Sequence, residues 1–108
     1  MLRRLMILAV PLLAASAAPA AAQTPLAQAC AAFGQVQYRK LDPAVDQVSL
    51  LDGAPALERF DGKVGAQAVA AALTLRGRVT WKNRPAFETQ FVCLLDAADR
   101  PLFFYALP

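Results

Sequence analysis

From Val69 to Leu95 the chain keeps a period of two, and that pattern most narrows what it can fold into. Val69, Ala71, Leu73, Leu75, Gly77, Val79 and Trp81 hold the odd positions, with Thr74, Arg76, Arg78, Thr80 and Lys82 between them. Successive strand side chains point to opposite faces, so the alternation predicts one long half-buried strand with Trp81 on the core side. Alanine-rich Ala66–Leu73 would favour a helix by propensity alone, but the longer pattern overrides it. Lys82, Asn83, Arg84 and Pro85 supply a turn, after which Phe87, Thr89, Phe91, Cys93 and Leu95 carry the odd face into a second strand. A turn over Asp96–Arg100 and a third strand over Leu102–Leu107 complete an antiparallel meander.

Upstream the signals are shorter. Thr24 suits an N-cap, Pro25 the first helical position and Gly34 a left-handed C-terminus, which together predict a short helix. Leu26, Cys30 and Phe33 follow i, i+4, i+7 and share its docking face. Val36 and Tyr38 alternate with Gln35, Gln37 and Arg39, which reads as a short strand, and Asp42-Pro43 opens a turn. Val48–Leu51 and Ala56–Phe60 read as two short strands joined as a hairpin around Asp52, Gly53 and Pro55, with a further turn at Asp61-Gly62. The fold class is therefore α+β, one short helix packed on an antiparallel sheet.

The N-terminus sets the expected compartment. Arg3 and Arg4, the apolar run Leu5–Leu13 and the small-residue stretch Ala14–Ala22 have the three parts of a secretory signal peptide over residues 1–22. The run is far short of the roughly 20 apolar residues of a spanning helix, so no transmembrane segment is expected in the mature chain. Cleavage after Ala22 leaves residues 23–108 as a single small domain of 86 residues, periplasmic or secreted. The twin arginines lack the rest of a twin-arginine signal. A lipid anchor on Cys30 is the rival, but Ala27 stands where a Leu-like residue is needed, and Gln23, Thr24 and Pro25 separate the cysteine from the apolar run.

Export gives the two cysteines a role. Cys30 and Cys93 allow one intramolecular pairing in an oxidising compartment, and closing a loop of about 64 residues contributes about 4 kcal/mol in the chain-entropy model. Two free thiols or an intermolecular bridge are the alternatives. At this size a single core leaves only a few kcal/mol of net stability, so a covalent staple matters. The bridge would pin the helix onto the second strand.

Composition removes several functions. Losing Arg3 and Arg4 takes the formal charge from +3 to +1, which argues against nucleic acid. The chain has no histidine, which removes Ser-His-Asp and Cys-His chemistry. Two distant cysteines offer no metal-ligand spacing, and Asp96 with Asp99 supplies too few oxygens for a calcium loop. No cofactor is expected. An Asp61–Glu88 pair could serve a small hydrolase, although turn and surface roles account for both residues.

Two surface features point to binding instead. Arg76, Arg78 and Lys82 share a strand face, with Arg84 in the next turn, and no acid lies between Asp61 and Glu88. This basic stripe could meet an anionic envelope component such as lipid head groups or polysaccharide, or an acidic protein partner; a solvated strand face, with room for pairing to Glu88 across the hairpin, is the plainer reading. Val92–Leu95 and Leu102–Leu107 are apolar without alternation, and strands apolar on both faces want cover on both. Either other parts of the chain supply it, or a strip around Leu94, Leu102 and Phe104 meets a partner, including a second copy in a homodimer through the C-terminal strands. A non-enzymatic binding module is the expectation.

The stretch Gly77–Pro85, followed by Phe87–Asp96 (FETQFVCLLD) and the closing PLFFYALP, resembles small exported proteins of Gram-negative bacteria of unknown function. The resemblance covers the last third of the chain and implies export and a cysteine-stapled sheet, with no catalytic residues. Periplasmic lysozyme inhibitors share the same general type, a disulfide-bonded β-rich exported domain, so inhibition of an envelope-acting enzyme is a second expectation. Their inhibitory loop motif is absent here.

Overall fold

The structure is a computed structural model that describes residues 24–108; the expected signal peptide lies outside the described residues. Helix α1 spans Pro25–Leu41, followed by strands β1 (Val45–Leu50), β2 (Ala56–Val64), β3 (Gln67–Trp81), β4 (Phe87–Leu95) and β5 (Pro101–Ala106). The long period-two segment is β3, and every odd residue from Val69 to Val79 is buried, with Trp81 half-buried. β3 pairs antiparallel with β4 from Ala71↔Leu95 to Val79↔Phe87, and β4 pairs with β5.

β1 and β2 do not form a hairpin with each other. Both pair with the same edge of β3, β1 with its C-terminal end (Leu50↔Gly77) and β2 with its N-terminal half (Ala56↔Thr74). They are collinear pieces of one interrupted strand, with Asp52–Pro55 looped out between them, and the meander expectation holds with this first strand broken. Asp61-Gly62 does not turn the chain; it lies in β2, where the register shifts between Arg59 and Gly62. The turn comes at Gly65, whose φ of 61° is open to glycine at little cost.

Helix α1 is longer than expected. Thr24 caps it, its hydroxyl accepting from the Ala27 N–H at 3.1 Å, and Pro25 holds the first turn. Gly34 is not its end. The Val36–Tyr38 segment read as a strand is helical, and the helix stops at Asp42 before Pro43, where the proline ring disfavours helical geometry for the preceding residue. Five alternating residues, 35–39, also fit little more than one helical turn, so the local pattern could not separate the two. The buried stripe is Ala27, Cys30, Ala31 and Gly34, while Leu26 and Phe33 pack only partly at its flanks.

Small side chains on that stripe let the helix lie close to the sheet. An ideal Cβ at Gly34 would stand 2.5 Å from the Phe104 ring, so glycine is what allows the approach. Phe104 stacks on Phe91 at 4.8 Å between ring centroids, and Tyr38 meets both edge-on. Cys30 and Cys93, both fully buried, are joined as a disulfide with their Cα atoms 6.0 Å apart. The bridge ties α1 to β4, as the sequence predicted. The Gln35 side-chain oxygen accepts from the Val48 N–H at 3.0 Å and fastens the helix to β1.

Candidate functional site

All of α1 lies on one side of the sheet, over Leu73, Leu75, Val79, Phe91, Cys93 and Phe104. The opposite face is built by the even residues of β3 and β4, and pairing fixes which neighbours join them. Ala72 stands beside Leu94, which pairs with Phe103; Thr74 stands beside Val92, which pairs with Tyr105. Across the other edge of β3, Glu58 pairs with Ala72 and Ala56 with Thr74. The result is an apolar band two residues deep. Phe103 and Tyr105 stack nearly parallel, 6.1 Å apart with planes 8° from coplanar. Among the described residues no element packs on this face.

The expected strip of Leu94, Leu102 and Phe104 is therefore redrawn. Leu94 belongs to the band. Phe104 does not: it is 4% exposed and faces α1. Leu102 is half-buried and falls in the register shift between Leu94↔Phe103 and Leu95↔Pro101. The physical reason is parity. Leu94 pairs with an odd residue, so the face carried by even numbers in β4 is carried by odd numbers in β5. Phe103 and Tyr105 were legible only as members of an apolar run, since nothing in the sequence states the register. Phe87, expected on the core face, is 47% exposed, although Val79 directly opposite it is fully buried.

Beyond the band the face becomes cationic, then mixed. Arg78 pairs with Glu88, directly opposite across β3 and β4, its Nε donating to Glu88 Oε2 at 2.7 Å. Arg84 leaves this face: it pairs with Asp42, the residue that ends α1, at 3.1 Å and lies over the Trp81 ring at 4.8 Å on the odd-numbered side. Two of the four stripe cations are thus neutralised by neighbours. Arg76 and Lys82 are exposed and make no ion pair among the described residues.

The other end of the face is mixed with a small acidic excess, since Lys63 pairs with Ala68 there and Arg100 stands beside Asp96. Asp61, Asp96, Gln67, Ala70 and Arg100 line a shallow cleft of about 370 Å³. Asp96 is the organiser of the β4–β5 turn: its carboxylate accepts from the Ala98 and Arg100 N–H groups and from Arg100 Nε. The Arg100 backbone bond, above all, holds the Asp96 carboxyl below the usual carboxylate range. Asp99, left-handed at φ 61°, takes two hydrogen bonds from Arg59 of β2, and these lower its pKa too. Asp96 and Asp99 are thus committed to a turn and a brace.

The Asp61–Glu88 pair is not assembled. Gly62 pairs with Val69 and Glu88 with Arg78, so the two backbone positions are about nine strand residues apart, roughly 30 Å at ~3.3 Å per residue. Glycosidase pairs need roughly 5–10 Å. Among the described residues no group of three or more Cys, Asp or Glu gathers to hold a metal ion, and no helix is long and apolar enough to cross a membrane.

Fold and face together define a class: a small α+β sheet stapled to its one helix by a disulfide, with one sheet face covered and the other bare among the described residues. Comparison with protein-family models, curated proteins and solved structures found no match for this chain.

Proposed function

We propose that this is a non-enzymatic interaction module of the cell envelope, and that its contact surface is the sheet face turned away from α1. The observation that carries the reading is the band Ala72, Val92, Leu94, Phe103 and Tyr105, which continues into the unpaired cation Arg76. A solvated antiparallel face needs only polar side chains, so a band of this kind marks contact. The disulfide and the expected signal peptide support action outside the cytoplasm, in the periplasm or after secretion. Arg76 and Lys82 would favour an anionic component or an acidic protein; nucleic acid is disfavoured by the near-neutral mature chain.

The test is capture from an envelope extract on immobilised protein, with bound species identified by mass spectrometry. Tyr105→Glu and the pair Arg76→Glu/Lys82→Glu should lose a species that Lys40→Glu, on the helix side, retains. A set of bound species common to all four proteins overturns the reading.

A further inference from the structure

The same face carries opposite charges at its two ends, with the apolar band between them. Glu58 lies at the level of Ala72 and Asp61 beyond it, while Arg76 lies on the far side of Thr74. Glu58, Asp61 and Arg76 are all exposed and make no ion pair among the described residues. Lys63, paired with Ala68, shares this face and Arg100 takes up Asp96, so the Glu58–Asp61 end is net acidic by a single charge. A surface that is acidic, apolar and basic in sequence along one axis is complementary to itself when turned end for end.

Resting on the binding-face reading above, we infer that the partner of this face is a second copy of the chain, packed sheet on sheet about a two-fold axis that crosses the strands within the apolar band. With the axis between the Ala72–Leu94–Phe103 row and the Thr74–Val92–Tyr105 row, each row faces the other row of the second copy. Leu94 then meets Val92, and Phe103 meets Tyr105, across the interface. Each Arg76 lands over the acidic end of the other copy, between Asp61 and Glu58. The contact is isologous, as closed two-fold dimers require. An axis along the strands would instead set like ends together, so the charges select the orientation.

Size sets the strength. The band and its charged ends span about 20 Å along the strands and about 19 Å across four of them, from ~3.3 Å per residue and ~4.8 Å per strand. Two such footprints bury roughly 800 Å², below the standard interface of about 1,200–2,000 Å², so the dimer is weak and forms in the micromolar range or above. Electrostatic complementarity then matters for orientation and makes association salt-sensitive.

Sedimentation velocity of the exported, oxidised protein from micromolar to millimolar concentration tests this. The parent should dimerise with concentration, less so at high salt. Arg76→Glu, and separately Glu58→Arg/Asp61→Arg, should weaken the dimer about tenfold or more, because each places like charges at both ends. Mixing those two variants should restore association as a heterodimer, which also shows that both are folded. A parent that stays monomeric overturns the self-association and leaves the binding-face reading to stand or fall on the extract experiment. A dimer indifferent to these changes and to Tyr105→Glu overturns it as well.

Discussion

Gly34→Ala tests whether the helix is seated on the sheet as described. In most helices alanine for an interior glycine adds about 1 kcal/mol of stability. Here the added methyl would stand 2.5, 2.6 and 2.9 Å from three atoms of the Phe104 ring. Carbon atoms in contact prefer ~3.5–4.0 Å, so the ring must withdraw by about 1 Å. It has nowhere to go: Phe91 stacks on its far side at 4.8 Å, Tyr38 closes the edge, and the residue is 4% exposed. Overpacking of this kind costs about 1–3 kcal/mol, so the net change is a destabilisation of up to about 2 kcal/mol once the propensity gain is set against it.

Urea denaturation followed by the fluorescence of Trp81, the one tryptophan, reads this as a lower midpoint at unchanged slope. In a Phe104→Leu background the ring is gone, and the same Gly34→Ala change should become stabilising by up to about 1 kcal/mol. The sign reversal is the signature. A stabilising Gly34→Ala in the parent, or equal effects in both backgrounds, would refute the close approach of α1 to β5.

Cys30→Ala/Cys93→Ala should cost about 4 kcal/mol, since the bridge closes a loop with a sequence separation of 63, and reduction of the parent should add about 2 Da by mass spectrometry; two free thiols in the exported protein would contradict the staple. Phe87→Ser should cost well under 1 kcal/mol, because the ring is 47% exposed, whereas Phe91→Ala at a fully buried stack should cost about 3–5 kcal/mol by thermal or urea unfolding. For acid stability, Asp96 and Asp99 both titrate below their ordinary range when folded, so their stabilisation is complete above the unfolded value near pH 4 and fades as pH falls through the folded pKa. Asp96→Asn and Asp99→Asn should therefore flatten the decline in stability below about pH 4, and parallel acid limbs for parent and variants would contradict the turn and brace assignments.

The legible parts of this chain are those where one physical pattern runs long. β3 and the core half of β4 follow from alternation over many residues, and the disulfide follows from two cysteines on faces that dock. The errors sit where the signal is short or concerns large residues alone. Gly34 read as a stop because glycine often ends helices, yet here it is the contact residue of a stripe of Ala27, Ala31 and Gly34, too small to register as hydrophobic periodicity. Asp52–Pro55 carries every mark of a hairpin turn, but the chain only loops out and resumes in the same direction along β3. Phe104 and Phe103 exchanged faces because register depends on the β4–β5 turn and its irregularity, which no alternation in an all-apolar strand can report.

The sheet itself localises the contact surface. Its bare face is not uniformly apolar. Toward β1 that face carries Gln47, Ser49, Thr80, Arg78 and Glu88, a complement that water satisfies unaided, with Arg78 and Glu88 paired and Thr80 accepting from the Gln47 N–H at 3.1 Å. Toward β5 the same face turns to half-buried Val92, Leu94 and Phe103 and exposed Tyr105, although no element covers those positions among the described residues. If the apolar composition of β4 and β5 served only the core beneath α1, their outward residues could have been polar like those of β1, because the core uses Phe91, Cys93, Leu95 and Phe104 alone. The gradient from polar to apolar within one sheet is thus unexplained by folding of the described residues. An interaction on the β4–β5 side of the face accounts for it, and the charges at Glu58, Asp61 and Arg76 give that interaction its direction.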